Sequence, residues 1–198
     1  MFLLKEKTFL NNQVFRAVIE ASLIARKAQP GQFVIVRVCE EGERIPLTIS
    51  DYDRDKGTIS LVVQAVGATT LRFSKMEAGE YLPSVVGPLG KASELEGVKK
   101  AAVIGGGVGC AIAYPVARKL HEMGAQVDTI VGFRSKDLVI MQEEFENVSD
   151  HFALMTDDGS AGEKGLVTDA LKKNIESGAD YDLVIAIGPL VMMKPVCE

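Results

Sequence analysis

Tryptophan is absent, and aromatic residues make up only 6% of the chain, too few for a carbohydrate- or RNA-stacking surface to lead. Cysteine is scarce: Cys39, Cys110 and Cys197 are widely spaced, with no C-x-x-C pair. Such a set offers neither a disulfide framework nor a complete zinc or iron–sulfur site. Reduced thiols are then the default, which makes the cytoplasm the expected compartment. A basic field is also missing. Twenty-two Lys+Arg against 27 Asp+Glu leaves a net charge of −5, so nothing sequence-wide would hold nucleic acid or an anionic membrane. The apolar stub Met1-Phe2-Leu3-Leu4 is far too short for a signal peptide. Ala101 to Ala117 carries no charge, but it falls short of the roughly 20 residues of a spanning helix, and glycines and Pro115 interrupt it. It reads as a buried strand, a glycine loop and a helix.

What remains is an ordinary globular balance, 47% hydrophobic and 25% charged, with an excess of 19 glycines. A length of 198 residues suits one domain or two of about 100 residues each. The first half predicts short strands: Gln13 to Ile19, Phe33 to Val38 after the Pro30-Gly31 turn, Ile45 to Ser50, and Thr58 to Val63 after a turn at Asp53 to Gly57. One helix fits there, opening near Thr69. Closely spaced turn signals up to Gly90 predict a small antiparallel β-barrel or sandwich. The second half changes period. Strands at Ala101 to Ile104, Val127 to Phe133, Phe152 to Met155 and Asp182 to Ile187 alternate with helices through Ala113 to Leu120, Leu138 to Phe145 and Leu166 to Ile175. Near-continuous apolar strands alternating with helices predict a Rossmann-like parallel sheet with helices on both faces. The expected domains are 1–97 and 98–198. The apolar stretch Leu190 to Val196 stops abruptly at Glu198, which reads as the fragment of a longer chain.

Two constellations carry chemistry. Gly105-Gly106-Gly107-Val108-Gly109 lies between a strand and a helix, where glycines let the backbone approach a pyrophosphate that the helix N-terminus stabilises. The G-x-G-x-x-G fingerprint is only half met, since Cys110 or Ile112 fills its last position, and a tight turn without ligand is the plain alternative. In the barrel half, Arg44-Ile45-Pro46-Leu47-Thr48 sits on a strand, and Val66-Gly67-Ala68-Thr69-Thr70 follows at a strand-to-helix junction. Arginine offers a bidentate donor to phosphate, Gly67 permits close approach, and the Thr69 and Thr70 hydroxyls can cap the helix or donate to a pyrophosphate. Taken singly, Arg44 is a solvated charge and Thr69 a plain cap. Together they suggest a second phosphate-bearing cofactor.

A barrel followed by a half carrying Gly-Gly-Gly-x-Gly resembles the ferredoxin–NADP reductase superfamily over nearly the whole chain. Within it the chain is most similar to the electron-transfer subunits of dihydroorotate dehydrogenase and the small subunits of NADH-dependent ferredoxin:NADP oxidoreductase. The resemblance implies FAD held at Arg44, Pro46, Leu47 and Thr48, at Gly67, Thr69 and Thr70, and by a hinge at Gly87-Pro88-Leu89-Gly90. It implies NAD(P)H held at Gly105, Gly106, Gly107, Val108 and Gly109, at Arg134 in Gly132-Phe133-Arg134-Ser135, at Asp158 in Thr156 to Ser160, and at Gly188, Pro189 and Met192. The departures are specific. Aligning Thr48 with the family's Ser/Thr leaves Arg44 one residue early and Leu47 in place of an aromatic. Ile112 stands where many relatives carry proline, and Ile187 where plant-type reductases place a cysteine. The cysteine-rich [2Fe–2S] segment of the electron-transfer subunits lies outside these residues.

The resemblance implies hydride transfer from NAD(P)H to FAD, with Thr48 as the candidate hydrogen-bond partner near flavin N5. Single electrons would then pass to an iron–sulfur centre or a larger flavoprotein partner subunit. The alternatives are a flavin-free dehydrogenase and a nucleotide-binding regulatory or assembly domain. Cys110 reads as a helix-packing residue or a reactive thiol, and Arg134 as a ribose or 2′-phosphate contact or a solvated charge. His121 and His151, far apart in sequence, read as neither catalytic nor metal-binding.

Overall fold

In the computed structural model, which describes residues 1–198, the chain divides into two compact units, Met1–Ser93 and Glu94–Glu198. Unit 1 comprises β1 (Phe2–Phe9), β2 (Val14–Glu20), α1 (Ser22–Lys27), β3 (Phe33–Arg37), β4 (Arg44–Asp53), β5 (Thr58–Gln64), α2 (Ala68–Phe73), β6 (Tyr81–Leu82) and β7 (Ser84–Leu89). Its seven strands run in the order β6-β1-β2-β5-β4-β3-β7, and the pairings are antiparallel. The two edge strands, β6 and β7, are separated in sequence only by Pro83. The sheet therefore curls until its edges meet, as a barrel must. Period-two alternation sends Phe15, Ala17 and Ile19 of β2, Val34 and Val36 of β3, and Ile59 and Leu61 of β5 into one core. Phe73 of α2 joins it, its ring edge-on to Phe15 at 5.3 Å.

Two elements of unit 1 depart from the expectation. Phe2–Phe9 is a full strand with Leu4 buried, and a second helix, α1, inserts Ile24 and Ala25 into the core. With six residues and no side-chain cap, α1 leaves little periodic signal. Burial of its apolar pair holds it in place.

Unit 2 comprises β8 (Lys100–Gly106), a 3₁₀ turn over Gly107–Gly109, α3 (Cys110–Glu122), β9 (Gln126–Phe133), α4 (Gln142–Glu146), β10 (His151–Thr156), β11 (Glu163–Lys164), α5 (Val167–Glu176), β12 (Leu183–Ile187) and α6 (Leu190–Cys197). The sheet is parallel, in the order β11-β10-β9-β8-β12. The chain thus moves outward from β8 in one direction and returns for β12 on the other side. Right-handed crossovers then put the helices of the two excursions on opposite faces. Consistent with this, α5 and α6 cover Ala102, Ile104 and Ile130. On the other helical layer, α3 and α4 meet through Tyr114 and Phe145. The helix expected over Leu138 to Phe145 is broken. A 3₁₀ turn at Lys136–Leu138 gives way to extended backbone, and Met141 adopts φ +58° before α4 begins. Burial of both Ile140 and Met141 compensates a left-handed residue that costs roughly 1–2 kcal/mol. No helix is long and apolar enough to cross a membrane.

Candidate cofactor sites

Unbroken pairing of β3 with β4 decides which residues of Arg44 to Thr48 share a face. Phe33 lies opposite Thr48, Ile35 opposite Pro46 and Arg37 opposite Arg44, while Val34 and Val36 face Leu47 and Ile45. Val34 and Val36 are fully buried, so the first set points outward. Arg44, Pro46 and Thr48 therefore line the barrel's outer surface, and Leu47 packs against its core. Leu47 thus turns away from the face its two neighbours define. The one-residue offset of Arg44 brings it onto the same face as Thr48. On the other flank, β7 contributes Val86 beside Ile35 and Ser84 beside Arg37. The face has an apolar middle of Ile35, Pro46 and half-exposed Val86. Two arginines lie at one end and a threonine hydroxyl at the other. Gly87 serves packing: a Cβ there would lie 2.7 Å from Val34 Cγ1.

The turn before α2 meets the arginine end. Thr69 Oγ1 donates to Glu43 Oε2 at 3.2 Å, and Glu43 directly precedes Arg44. Thr70 is turned inward on the turn itself. Its hydroxyl accepts from the Val66 and Gly67 amides at 3.1 and 3.0 Å and donates to Gly67 O at 3.1 Å. Thr70 thus shapes the loop, and Thr69 presents its hydroxyl toward β4. Gly67 is exposed, and a Cβ there would meet only Thr70 Oγ1, at 4.0 Å. Sequence reasoning missed Arg37. One guanidinium nitrogen pairs with Glu40, but Arg37 Nε is buried without an acceptor. An unmet buried donor costs about 1–3 kcal/mol. An orphaned cationic donor, a second arginine across the strand and an open hydroxyl turn fit a diphosphate-bearing ligand.

In unit 2 the candidate residues gather at the carboxyl ends of the parallel strands, where open α/β sheets bind ligands beside the point at which strand order reverses. Here that point is β8, between β9 and β12. The glycines divide by role. A Cβ on Gly105 would lie 2.8 Å from Cys110 Sγ, on Gly106 2.3 Å from Met192 Sδ, and on Gly109 2.4 Å from Ile187 O. These three permit the chain to pack on itself. Gly188 is similar, since a Cβ there would lie 2.8 Å from Met192 Cε; Met192 thus sits over Gly106 and Gly188, and a Cβ on Gly106 would also come within 3.3 Å of Pro189 Cδ. Gly107 is different. Its φ is +54°, and a Cβ would meet nothing within 4 Å. Gly107, followed by Val108, is the part of the loop free to face a pyrophosphate ahead of α3.

Arg134 and Asp158 follow β9 and β10 and are both exposed. The Asp158 amide donates to Arg134 O at 3.3 Å, and the Lys136 amide donates to Ser160 Oγ at 2.7 Å, so the two loops form one rim. The hydroxyl and amide of Ser160 hold the Asp158 carboxyl below the ordinary carboxylate range. Burial drives the Cys110 thiol far above the ordinary thiol range, which makes it a packing residue. His151 is tied to buried Asp128, its Nδ1 2.8 Å from Asp128 Oδ1, at the opposite end of the strands from the glycine loop.

An antiparallel barrel followed by a five-stranded parallel sheet, with a glycine turn at its switch point, is the two-domain architecture of the ferredoxin–NADP reductases. Comparison with known proteins agrees. Residues 103–198 match the oxidoreductase NAD-binding domain family. The chain is 44% identical over 189 residues to the dihydroorotate dehydrogenase B (NAD(+)) electron transfer subunit homolog of Thermotoga maritima, covering 96% of this chain and 66% of that one. It is 33% identical to the electron transfer subunit of Bacillus mycoides, covering 98% and 75%. The NADH-dependent reduced ferredoxin-NADP oxidoreductase structure superposes with a TM-score of 0.91 at 41% identity, covering 100% of this chain and 70% of that one. Phthalate dioxygenase reductase shares the fold, with a TM-score of 0.79 at 15% identity over 98% and 62%. The chain belongs to the ferredoxin–NADP reductase superfamily, within the group of dihydroorotate dehydrogenase B electron-transfer subunits and their homologues. It spans about two thirds of the Thermotoga relative's length.

Proposed function

We propose that this chain is the electron-entry module of a flavoprotein oxidoreductase. Unit 2 binds NAD(P)H, unit 1 binds FAD, and electrons pass onward singly to an iron–sulfur centre or a larger partner subunit. The observation that carries the reading is the meeting of β4 and the α2 turn: Arg44 and Thr48 share one outer face, and Thr69 reaches its arginine end through Glu43. The names of the relatives, an electron transfer subunit for NAD(+) and an NADH-dependent oxidoreductase, support the same direction. FAD, when bound, supplies a carrier that accepts two electrons together and can release them one at a time. Arg44 and Thr69 hold its phosphates, Thr70 keeps the turn in shape, and Ile35, Pro46 and Val86 exclude water from the face beside Thr48. The Thr48 hydroxyl, on the same outer face, would hydrogen-bond the reacting nitrogen of the ring. In unit 2, Gly107 and the start of α3 bind the pyrophosphate of NAD(P)H, with Arg134 and Asp158 beside its ribose. Binding and orientation are the work of these residues, and no acid–base side chain is required.

The test is spectroscopic. Purified protein supplied with FAD should be yellow and should bleach when NADH is added without oxygen. A protein that takes up NADH but no flavin would instead be a flavin-free dehydrogenase or a nucleotide-binding regulatory or assembly domain.

A further inference from the structure

We propose that Arg37 is a second phosphate-binding residue of the flavin site, held by Glu40 until the ligand arrives. The proposal rests on the FAD reading and adds a residue that neither the glycine turn nor the Arg44 strand would reveal. Arg37 and Arg44 are directly opposed on β3 and β4 and point to the same outer face. Like charges in that position repel, so the pair is favourable only with an anion beside it. The anions at hand come from the hairpin joining the two strands. Glu40 takes one guanidinium nitrogen of Arg37, and Glu43 takes the Thr69 hydroxyl. Two carboxylates of the chain thus sit on donors that a diphosphate would use.

The substitution is incomplete, and that indicates a ligand. A guanidinium presents donors in a planar fork suited to two acceptor oxygens. Glu40 engages one nitrogen, and Arg37 Nε remains buried without any acceptor. The Glu40 side chain is 71% exposed, so it can leave for solvent at little cost when a phosphate oxygen replaces it. A diphosphate carries two negative charges to match the two arginines, with oxygens enough for both the occupied and the unmet donor. No bond is made or broken; one anion exchanges for another.

The experiment compares FAD with riboflavin, which has the ring and no phosphate, on flavin-free protein by fluorescence titration. Arg37→Gln should weaken FAD binding about ten- to a hundredfold, the range for losing a charged hydrogen bond, and leave riboflavin affinity unchanged. Glu40→Gln lies on the exposed hairpin and should fold normally. It should tighten FAD binding several-fold, again without effect on riboflavin. Unchanged FAD affinity in Arg37→Gln, or equal losses for both ligands, would overturn the phosphate role. Failure of the unaltered protein to bind either flavin would remove the FAD reading itself, and this proposal with it.

Discussion

Gly107 and Gly109 sit two residues apart and are glycines for opposite reasons. Gly109 has ordinary helical backbone, but a methyl group would press on Ile187 O, and backbone cannot yield as a side-chain tip can. Gly109→Ala should lower the melting temperature by several degrees, read by thermal denaturation. Gly107→Val meets no neighbour at its Cβ. It should cost roughly 1–2 kcal/mol for the left-handed backbone and weaken NADH binding about tenfold or more, read by titration. Unchanged NADH affinity in a folded Gly107→Val protein would remove the loop from the site. The thiols make a second residue-scale contrast. Cys197 is exposed and Cys110 buried, with its thiol held protonated by desolvation. A thiol reagent at mildly alkaline pH should label Cys197 promptly and Cys110 only on unfolding.

At the scale of elements, the parallel sheet closes one end of its strands with side chains, the end opposite the glycine turn. Asp128 of β9 accepts from Tyr181 at 2.7 Å, and Asn174 of α5 donates to the same phenol oxygen at 3.1 Å. Burial first, and then the Asp128 carboxylate, push the Tyr181 phenol from 10 up to about 12. A phenol that ionises later in the folded protein than in the unfolded one stabilises the fold fully below pH 10. That contribution is lost as pH rises from 10 towards about 12. Alkaline denaturation should therefore be shallower in Tyr181→Phe over that window, and equal slopes would show that the tie carries no linkage. In the barrel, Thr70→Ser should keep the turn before α2, while Thr70→Ala should loosen it and lower FAD affinity with NADH binding unaffected. Most of these elements were legible in the sequence because each has its own period and turn chemistry. Met141 was not, because nothing in Leu138 to Phe145 marks a left-handed residue; burial of Ile140 and Met141 imposes it.

Over the whole molecule, the change of period near the middle of the chain announces two units, and it does so locally. The pairings that build the sites are long-range and stayed hidden. Arg37 meets Arg44 only because the intervening hairpin sets the register, and Thr69 meets Glu43 across 26 positions. Alternation alone could have placed Leu47 inward, had the strand's buried face been assigned first. The division of labour can be tested by crossed variants. Arg44→Ala should lower FAD occupancy and spare NADH affinity, and Gly107→Val should do the reverse, both read from flavin absorbance and NADH titration. Loss of both ligands in either variant would contradict separate sites.

Closure of the barrel fixes an order of events during synthesis. Phe2 and Leu3 pair with Leu82 and Tyr81, so one edge of β1 must wait for nearly the last strand of its unit. At about 5–20 residues per second, that wait lasts several seconds on the ribosome. Through that interval Leu4, destined for the core, has only the hairpin with β2 to shelter it. Whatever guards the nascent chain against aggregation must act on β1 and β2 before the barrel has closed.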